Sequence, residues 1–153
     1  KRRIRKAEVW SCDVSSPALA VAKKNAESLG TEIKLLQLDI LDQNSWSQLP
    51  SFDTIVSNPP YIPEKDKHEM QPNVLNYEPH TALFVPDNDP LRFYKAIATF
   101  GKTHLNPSGT IFLEIHENLG EAVSNLLKSQ GYLTELKKDM QQKDRMLRAF
   151  IKE

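Results

Sequence analysis

The residues best suited to chemistry follow three apolar, strand-like runs of the sequence. Asn58 comes directly after FDTIV, in the stretch SNPPYIP, while Asp13 closes AEVWSCDV and Asp39 lies near the end of EIKLLQLDI. If these runs are parallel strands of one sheet, their carboxyl ends meet along one rim, where such sheets bind ligands. A carboxylate there can accept hydrogen bonds from both hydroxyls of a ribose. Each Asp alone is more often a helix cap or turn residue, but the three residues together favour a binding rim.

The stretch SNPPYIP must also end its strand in a stiff turn. Pro59 and Pro60 donate no backbone hydrogen bond, fix their own φ and restrict the residue before them. Two consecutive prolines therefore exclude the continuation of a central strand. We expect the Asn58 amide to be held on a rigid turn at the mouth of the sheet.

The segments around these residues alternate between helical and extended patterns. SPALAVAKKNAESLG has a Ser cap, an early Pro and a terminal Gly30, which is typical of a helix. Further predicted elements are a short helix around Trp46, a helix over DPLRFYKAIATFGKTHL, a turn at NPSG, a strand over TIFLEI, a helix over NLGEAVSNLLKSQG and a final antiparallel hairpin. Between Asn58 and Asp89 we predict a long loop, and loops of that length are usually functional or disordered. The alternation predicts a doubly wound, mostly parallel α/β sheet.

The composition is that of an ordinary globular domain. The 153 residues include 20 basic and 20 acidic side chains, and the zero net charge disfavours nucleic acid as a partner. The single cysteine, Cys12, cannot form an internal disulfide, and we expect it to be buried as a small hydrophobe. Without a signal-peptide or transmembrane pattern, we expect a cytoplasmic protein that has no membrane partner. No His/Cys spacing predicts a metal site.

Five blocks of the sequence, taken in order, resemble a known family. Asn-Pro-Pro-Tyr after a strand resembles the signature of class I S-adenosylmethionine-dependent methyltransferases that act on planar nitrogen. The blocks VSNPPYIP, YEPHTALF, DPLRFYKAI, FLEI and DRMLRAF are together similar to the release-factor glutamine methyltransferases, the HemK or PrmC type. The resemblance covers nearly the whole chain. It implies a Rossmann-like fold, S-adenosylmethionine as cofactor with S-adenosylhomocysteine as its product, and a peptide chain release factor as protein substrate.

The chemistry implied by this resemblance agrees with the residues of the turn. A glutamine side-chain nitrogen is a poor nucleophile because its lone pair is delocalised into the carbonyl group. The Asn58 side-chain oxygen and the Pro59 carbonyl can each accept one of its N–H groups, while the prolines Pro59 and Pro60 hold these acceptors in place. Tyr61 can stack on the planar amide. Asn58, Pro59, Pro60 and Tyr61 are therefore the predicted catalytic and substrate-binding residues, and no dedicated base is required.

The resemblance assigns further residues to the site. Asp13 would bind the cofactor ribose, Asp39 and Ile40 would flank its adenine, and Asn58 would contact the cofactor as well as the substrate. Glu78, in the YEP block, would face the substrate, with a solvated loop acid as the open alternative. Glu114, at the end of the FLEI strand, is expected either to line the same rim or to cap the next helix.

The chain departs from the family pattern at its start. Members carry a first strand with a glycine-rich loop, and a small helical domain, ahead of the strand that ends in Asp13; here only KRRIRKA precedes it. We therefore expect residues 1–153 to be the carboxyl-terminal part of a longer protein, with KRRIRK ending a preceding helix; a basic arm that binds nucleic acid is the alternative for this segment. The missing strand would leave two sheet edges unpaired, so we expect poor cofactor binding by this chain alone and self-association through those edges.

Two alternative functions stay open on the sequence alone. The first is methylation of an exocyclic amine of adenine or cytosine in nucleic acid, which uses the same tetrapeptide; the neutral charge and the YEP block disfavour it. The second is a non-catalytic, methyltransferase-like binding module. The missing glycine-rich loop favours the binding module, whereas the intact tetrapeptide favours an enzyme.

Overall fold

The computed structural model of the protein describes Ile4 and residues 6–151, apart from the side chain of Glu69. The chain divides into two compact units, Lys1–Trp46 and Ser47–Glu153. The prediction that KRRIRK ends a helix falls mostly on residues outside the described range. Among the described residues, no helix has the length and apolar character needed to cross a membrane.

The first unit consists of a parallel strand pair joined by a helix. Its elements are β1 (Trp10–Asp13), α1 (Ser16–Ser28) and β2 (Lys34–Gln37), and a 3-10 helix (Gln43–Gln48) spans the residues where the two units join in sequence. The Ser15 hydroxyl accepts a hydrogen bond from the Ala18 amide at 3.2 Å and so caps α1. Gly30, with φ +58°, lies just beyond the helix in the left-handed conformation that favours glycine. The predicted strand and the helix end at Gly30 are confirmed, whereas the cap is Ser15 rather than Ser16, the residue that opens the predicted helix.

The second unit is built on a four-stranded mixed sheet. Its elements are β3 (Phe52–Ser57), β4 (Ile62–Pro63), a 3-10 helix (Glu64–Glu69), α2 (Pro72–Tyr77), α3 (His80–Leu83), β5 (Phe84–Val85), α4 (Arg92–His104), β6 (Leu105–Glu114), α5 (Gly120–Ser129), β7 (Leu133–Lys138) and β8 (Asp144–Phe150). The strand order is β3-β6-β8-β7, with β3 parallel to β6 and with β8 antiparallel to both β6 and β7. The predicted carboxyl-terminal hairpin is therefore confirmed.

One face of this sheet carries the core of the second unit. Helices α4 and α5 pack against strands β6, β7 and β8 and against each other. The buried apolar side chains at these contacts are Tyr94, Ile97, Ala98 and Phe100 of α4, Val123 and Leu127 of α5, and Ile111, Leu113, Leu147 and Ala149 of the sheet. The alternation of buried and exposed residues along β6 and β8 follows from the two-residue period of a strand. This core fixes the carboxyl end of β6.

The segment predicted as one long loop contains several short elements. Strands β4 and β5 form a separate parallel pair, in which Ile62 lies opposite Phe84 and Pro63 opposite Val85. The backbone amide of Lys65 donates to the Asp87 carboxylate at 2.9 Å and ties the two ends of the segment together. The loop prediction was wrong in this respect, because pairing between residues distant in sequence stabilises elements too short to leave a periodic pattern.

Three further predictions need correction. The turn expected at NPSG lies within β6, where the β3–β6 register shifts and Ser108 has φ +62°. The second strand ends at Gln37 rather than at Asp39, since the Asp39 carboxylate accepts from the Leu41 amide at 2.9 Å and forms a turn. Cys12 is exposed rather than buried, because β1 lies in a two-stranded sheet and three of its four residues are exposed.

Candidate active site

The turn from Asn58 to Tyr61 directly follows β3, as predicted. The β-branched run at the end of β3 pairs with β6 up to Ser57, which lies opposite Leu113. Asn58 is exposed, whereas the following Pro59 is buried. In the part of the chain that the structure describes, the Asn58 side chain makes no hydrogen bond to protein. The turn therefore presents a free amide on a backbone that is anchored by a buried proline.

Tyr61 is held in place by a hydrogen bond from its hydroxyl group. This hydroxyl donates to the Oε1 atom of Glu114 at 3.1 Å, and the ring meets His116 edge-on at a centroid distance of 5.9 Å. Burial raises the pKa of the Tyr61 hydroxyl above its usual value, the Glu114 carboxylate adds to this rise, and Arg145 opposes it. The phenol is therefore neutral, and a donor, at physiological pH.

Glu114 is the last residue of β6 and is itself well anchored. Its backbone carbonyl accepts a hydrogen bond from the Tyr94 hydroxyl at 3.2 Å. Tyr94 is fully buried in α4, and burial raises the pKa of its hydroxyl well above the usual range. Sequence reasoning placed Glu114 near the rim or at a helix cap; the structure places its side chain on Tyr61.

Arg145, near the start of β8, completes the polar group around Tyr61. Its guanidinium lies 3.4 Å from an oxygen of Asp139 and 3.6 Å from an oxygen of Glu117. It also acts electrostatically on both Tyr61 and Glu114. Sequence reasoning assigned no role to Arg145 or Tyr94, although Arg145 lies in the DRMLRAF block that carried part of the resemblance.

The two predicted cofactor acids lie at one end of the parallel pair in the first unit. Asp13 ends β1 and is exposed, and its Oδ1 atom accepts from the Ser15 amide at 2.8 Å. Asp39 follows β2 by two residues and is also exposed, while the adjacent Ile40 is half-buried. The Ile40 carbonyl accepts from the indole of Trp46 at 3.1 Å. The structure thus brings Asp13 and Asp39 to the same end of the β1–β2 pair.

These side chains fit the chemistry of a nucleoside. Each aspartate uses one oxygen in a local turn, and in the described residues no partner is seen for the other oxygen, which can accept from a ribose hydroxyl or an adenine amine. Ile40 supplies an apolar surface next to them. Asp13 is a turn residue and Ser15 is the helix cap, and the assignment of Asp13 to the cofactor stays a prediction.

Glu78 lies between two short helices. It follows α2 directly, and its amide donates to the Val74 carbonyl at 3.0 Å, while Pro79 begins the passage into α3. Its side chain is exposed and makes no hydrogen bond or ion pair within the described residues. The assignment of Glu78 to the substrate stays a prediction. In the same described residues, no group of three or more His, Cys, Asp or Glu side chains is placed to hold a metal ion.

The fold is that of a Rossmann-like methyltransferase domain. A methyltransferase of Pyrococcus furiosus matches 94% of this chain, and 62% of its own, with a TM-score of 0.63 at 18% identity. A release-factor-specific protein-(glutamine-N5) methyltransferase of Alicyclobacillus acidocaldarius matches 99% of this chain, and 86% of its own, with a TM-score of 0.54 at 21% identity. These likenesses confirm the predicted fold class.

The chain belongs to the methyltransferase small domain family, whose model matches residues 1–77. It is similar in sequence to the release factor glutamine methyltransferase of Bacteroides thetaiotaomicron, with 42% identity over 145 residues. The match covers 94% of this chain and 51% of that relative. The chain therefore spans about half the length of the curated relatives it matches.

Proposed function

We propose that this chain forms the catalytic part of an S-adenosylmethionine-dependent enzyme that methylates the side-chain amide of a glutamine in a peptide chain release factor. The observation that carries the proposal is the Asn58–Tyr61 turn, in which an exposed, unpaired amide stands on a buried proline beside a tethered tyrosine. The similarity to enzymes named as release factor glutamine methyltransferases supports this substrate. A translation substrate in turn supports a cytoplasmic location.

The turn acts on the substrate by accepting hydrogen bonds. The Asn58 oxygen and the Pro59 carbonyl each accept one N–H of the glutamine amide, which orients the nitrogen and stabilises the positive charge that develops on it. Pro59 and Pro60 restrict the backbone of both acceptors, so little conformational entropy is lost on binding. The ring of Tyr61 covers one face of the planar amide and excludes water from it.

The first unit supplies the residues that would hold the cofactor. We propose that Asp13 accepts hydrogen bonds from the ribose hydroxyls, and that Asp39 and Ile40 lie beside the adenine. The bound cofactor supplies an electrophilic methyl group on a sulfonium. The new N-methyl amide loses its extra proton to water, since a protonated amide is a strong acid, so no side chain of the site is needed as a base.

We also propose that residues 1–153 are part of a longer protein, since the chain matches only 51% of a relative to which it is 42% identical. The missing part would contribute the glycine-rich loop that the family uses to hold the methionine portion of the cofactor. Weak cofactor binding by the isolated chain, and its self-association through unpaired strand edges, both stay predictions. The full-length protein is therefore the right material for functional tests.

The test is methyl transfer from labelled S-adenosylmethionine by the full-length protein. Parallel reactions offer the release factor, the same factor with its target Gln replaced by Ala, and DNA. We expect label on the intact factor alone, and a loss of at least ~100-fold with Asn58→Ala, the size typical of removing one preorganised group. Asn125→Ala is the matched control, because Asn125 is exposed on α5 and outside the turn.

The outcomes separate the competing functions. Label on DNA in place of the release factor would establish the nucleic-acid substrate, and no label from a folded, cofactor-binding protein would establish a binding module. Label on the release factor that is as fast with Asn58→Ala as with Asn125→Ala would remove the turn from the mechanism.

A further inference from the structure

We infer that Glu114 is a positioning residue, whose carboxylate holds the Tyr61 hydroxyl and thereby fixes the tyrosine ring next to Asn58. The inference rests on the proposed function, because it concerns the same turn. Glu114, the last residue of β6, would act on the reaction through Tyr61 and without contact with substrate or cofactor. The Tyr94 hydroxyl and the Arg145 carbonyl hold the backbone at Glu114 and Ile115 in place.

The prolines of the turn do not fix the side chain of Tyr61, so a further contact is needed to orient its ring. Pro59 and Pro60 restrict the backbone of the turn, but they do not restrict rotation about the side-chain bonds of Tyr61. The ring is only half-buried, so packing alone does not select one orientation. The 3.1 Å hydrogen bond from its hydroxyl to Glu114 and the edge contact with His116 supply the missing restraint.

Glu114 is suited to this task because its own backbone is fixed on three sides. It lies opposite Met146 in the β6–β8 pairing. The hydroxyl of the fully buried Tyr94 donates to its carbonyl at 3.2 Å. The amide of the next residue, Ile115, donates to the Arg145 carbonyl at 2.9 Å. The carboxylate therefore extends from a rigid point of the second unit.

Arg145 is the cation nearest in effect to the Tyr61–Glu114 hydrogen bond among the groups that act on Tyr61. Its guanidinium interacts electrostatically with Glu114 and Tyr61, and it is itself held by Asp139 at 3.4 Å and Glu117 at 3.6 Å. The guanidinium therefore places a positive charge near the carboxylate that accepts from Tyr61. The charged and titratable groups around the Tyr61 hydroxyl are thus Glu114, Arg145, His116 and Tyr94.

The direction of the hydrogen bond has a consequence for the role of Tyr61. Its single O–H is donated to Glu114, so the hydroxyl has no proton left to donate to the substrate amide. Tyr61 therefore acts through the position of its ring. Removing the hydroxyl and removing its acceptor should then have the same effect, because both changes release the same ring.

A double-mutant cycle in the full-length protein tests this equivalence. We expect Tyr61→Phe and Glu114→Ala each to lower kcat for release-factor methylation by ~10- to 100-fold, the range for a misplaced reacting partner. The double variant should lose no more than either single variant, and KM for the release factor should change by less than about threefold. If the double variant instead loses the product of the two single-variant losses in kcat, the two side chains act separately and the inference is overturned.

Two further variants separate positioning from simple structural support. Glu114→Gln keeps an acceptor oxygen for the Tyr61 hydroxyl, so we expect kcat to return to within about threefold of the wild type. Glu121→Ala removes an exposed acid of α5 that has no side-chain partner in the described residues, and it should leave kcat unchanged. Failure of Glu114→Gln to restore kcat, at an unchanged melting temperature, would contradict a role through Tyr61.

A readout that needs no activity keeps this inference distinct from the proposed function. The ultraviolet titration of Tyr61 is obtained as the difference between each protein and its Tyr61→Phe counterpart. We expect the Tyr61 pKa to lie above that of free tyrosine in the wild type and to fall in Glu114→Ala. If no substrate is labelled but the Tyr61 pKa falls in Glu114→Ala, the proposed function fails, while the hydrogen bond that tethers Tyr61 to Glu114 (the tether) is supported. If the release factor is labelled but the pKa and kcat do not respond to Glu114→Ala, the tether fails alone.

Discussion

Replacing Tyr132 by Phe tests a buried hydrogen bond in the core of the second unit, on which the carboxyl end of β6 packs. Tyr132 follows α5, is 2% exposed, and donates its hydroxyl to the Ala98 carbonyl of α4 at 2.8 Å. This hydrogen bond joins α4 to the segment between α5 and β7. Tyr132→Phe removes the donor and keeps the ring, so at neutral pH we expect a loss of about 1 kcal/mol in the free energy of unfolding.

The same substitution should reverse its effect at high pH. Burial raises the pKa of the Tyr132 hydroxyl from 10.0 to about 12. A group whose pKa is higher in the folded than in the unfolded protein contributes stability below the unfolded pKa and loses it as the pH rises through the folded value. The full interval of two pKa units corresponds to about 3 kcal/mol, and about half of it is lost by about pH 11. Phe does not ionise, so the Phe variant loses none of this stability as the pH rises.

Urea denaturation followed by circular dichroism measures both effects in the full-length protein. We expect the Phe variant to be less stable by about 1 kcal/mol at about pH 7.5, and to equal or exceed the wild type at about pH 11. Other groups that titrate at high pH are common to both proteins and cancel in the difference. Tyr77→Phe is the control, since Tyr77 is 85% exposed and should show neither effect. A wild-type advantage for Tyr132 that stays the same at both pH values would refute the reasoning.

Two further predictions concern the frame of the second unit. In Gly101→Ala the new Cβ would lie 2.6 Å from the Tyr132 hydroxyl and 2.8 Å from the Ile111 Cδ1, so we expect a loss of about 1–3 kcal/mol in urea denaturation, and a smaller loss when Tyr132→Phe is also present. The Asp139 carboxylate has a lowered pKa, chiefly because it accepts from the backbone amide of Lys143. Asp139→Asn should therefore lower the melting temperature at neutral pH, and the difference from the wild type should disappear as the pH falls below about 4.

The elements that the sequence predicted well are those with strong local signals. Helix α1 was predictable because a Ser, Pro17 and Gly30 mark its two ends; Pro17 and Gly30 have these roles in the structure, and the cap lies one residue earlier than predicted, at Ser15 instead of Ser16. Strand β3 was predictable because an apolar run meets two prolines, which no central strand can contain. The hairpin of β7 and β8 followed from two strand-like segments joined by a polar turn. In each case the information lies within about one turn or strand of the residue concerned.

The features that escaped prediction depend on residues far apart in the sequence. The β4–β5 pair joins Ile62 to Phe84, and neither two-residue strand has a pattern of its own. The contact between Tyr61 and Glu114 spans 53 positions. Residue types at these positions could suggest a polar rim, but only the strand order shows which acid meets which hydroxyl. Cys12 was misplaced for a related reason, because exposure depends on how many neighbours its strand has.

The strand order also explains why the last block of the sequence belongs to the same site as the tetrapeptide. Strand β8 inserts between β6 and β7 and runs antiparallel to β6, so the start of β8 lies at the carboxyl end of β6. That is where Glu114 meets Tyr61, and it is why Arg145, in the DRMLRAF block, reaches both of them. A parallel strand at this place would have put its last residues there instead. The antiparallel strand β8 thus brings Arg145 to the carboxyl end of β6. The orientation of Tyr61 therefore depends on Glu114 of the parallel strand β6 and on the cation supplied by β8.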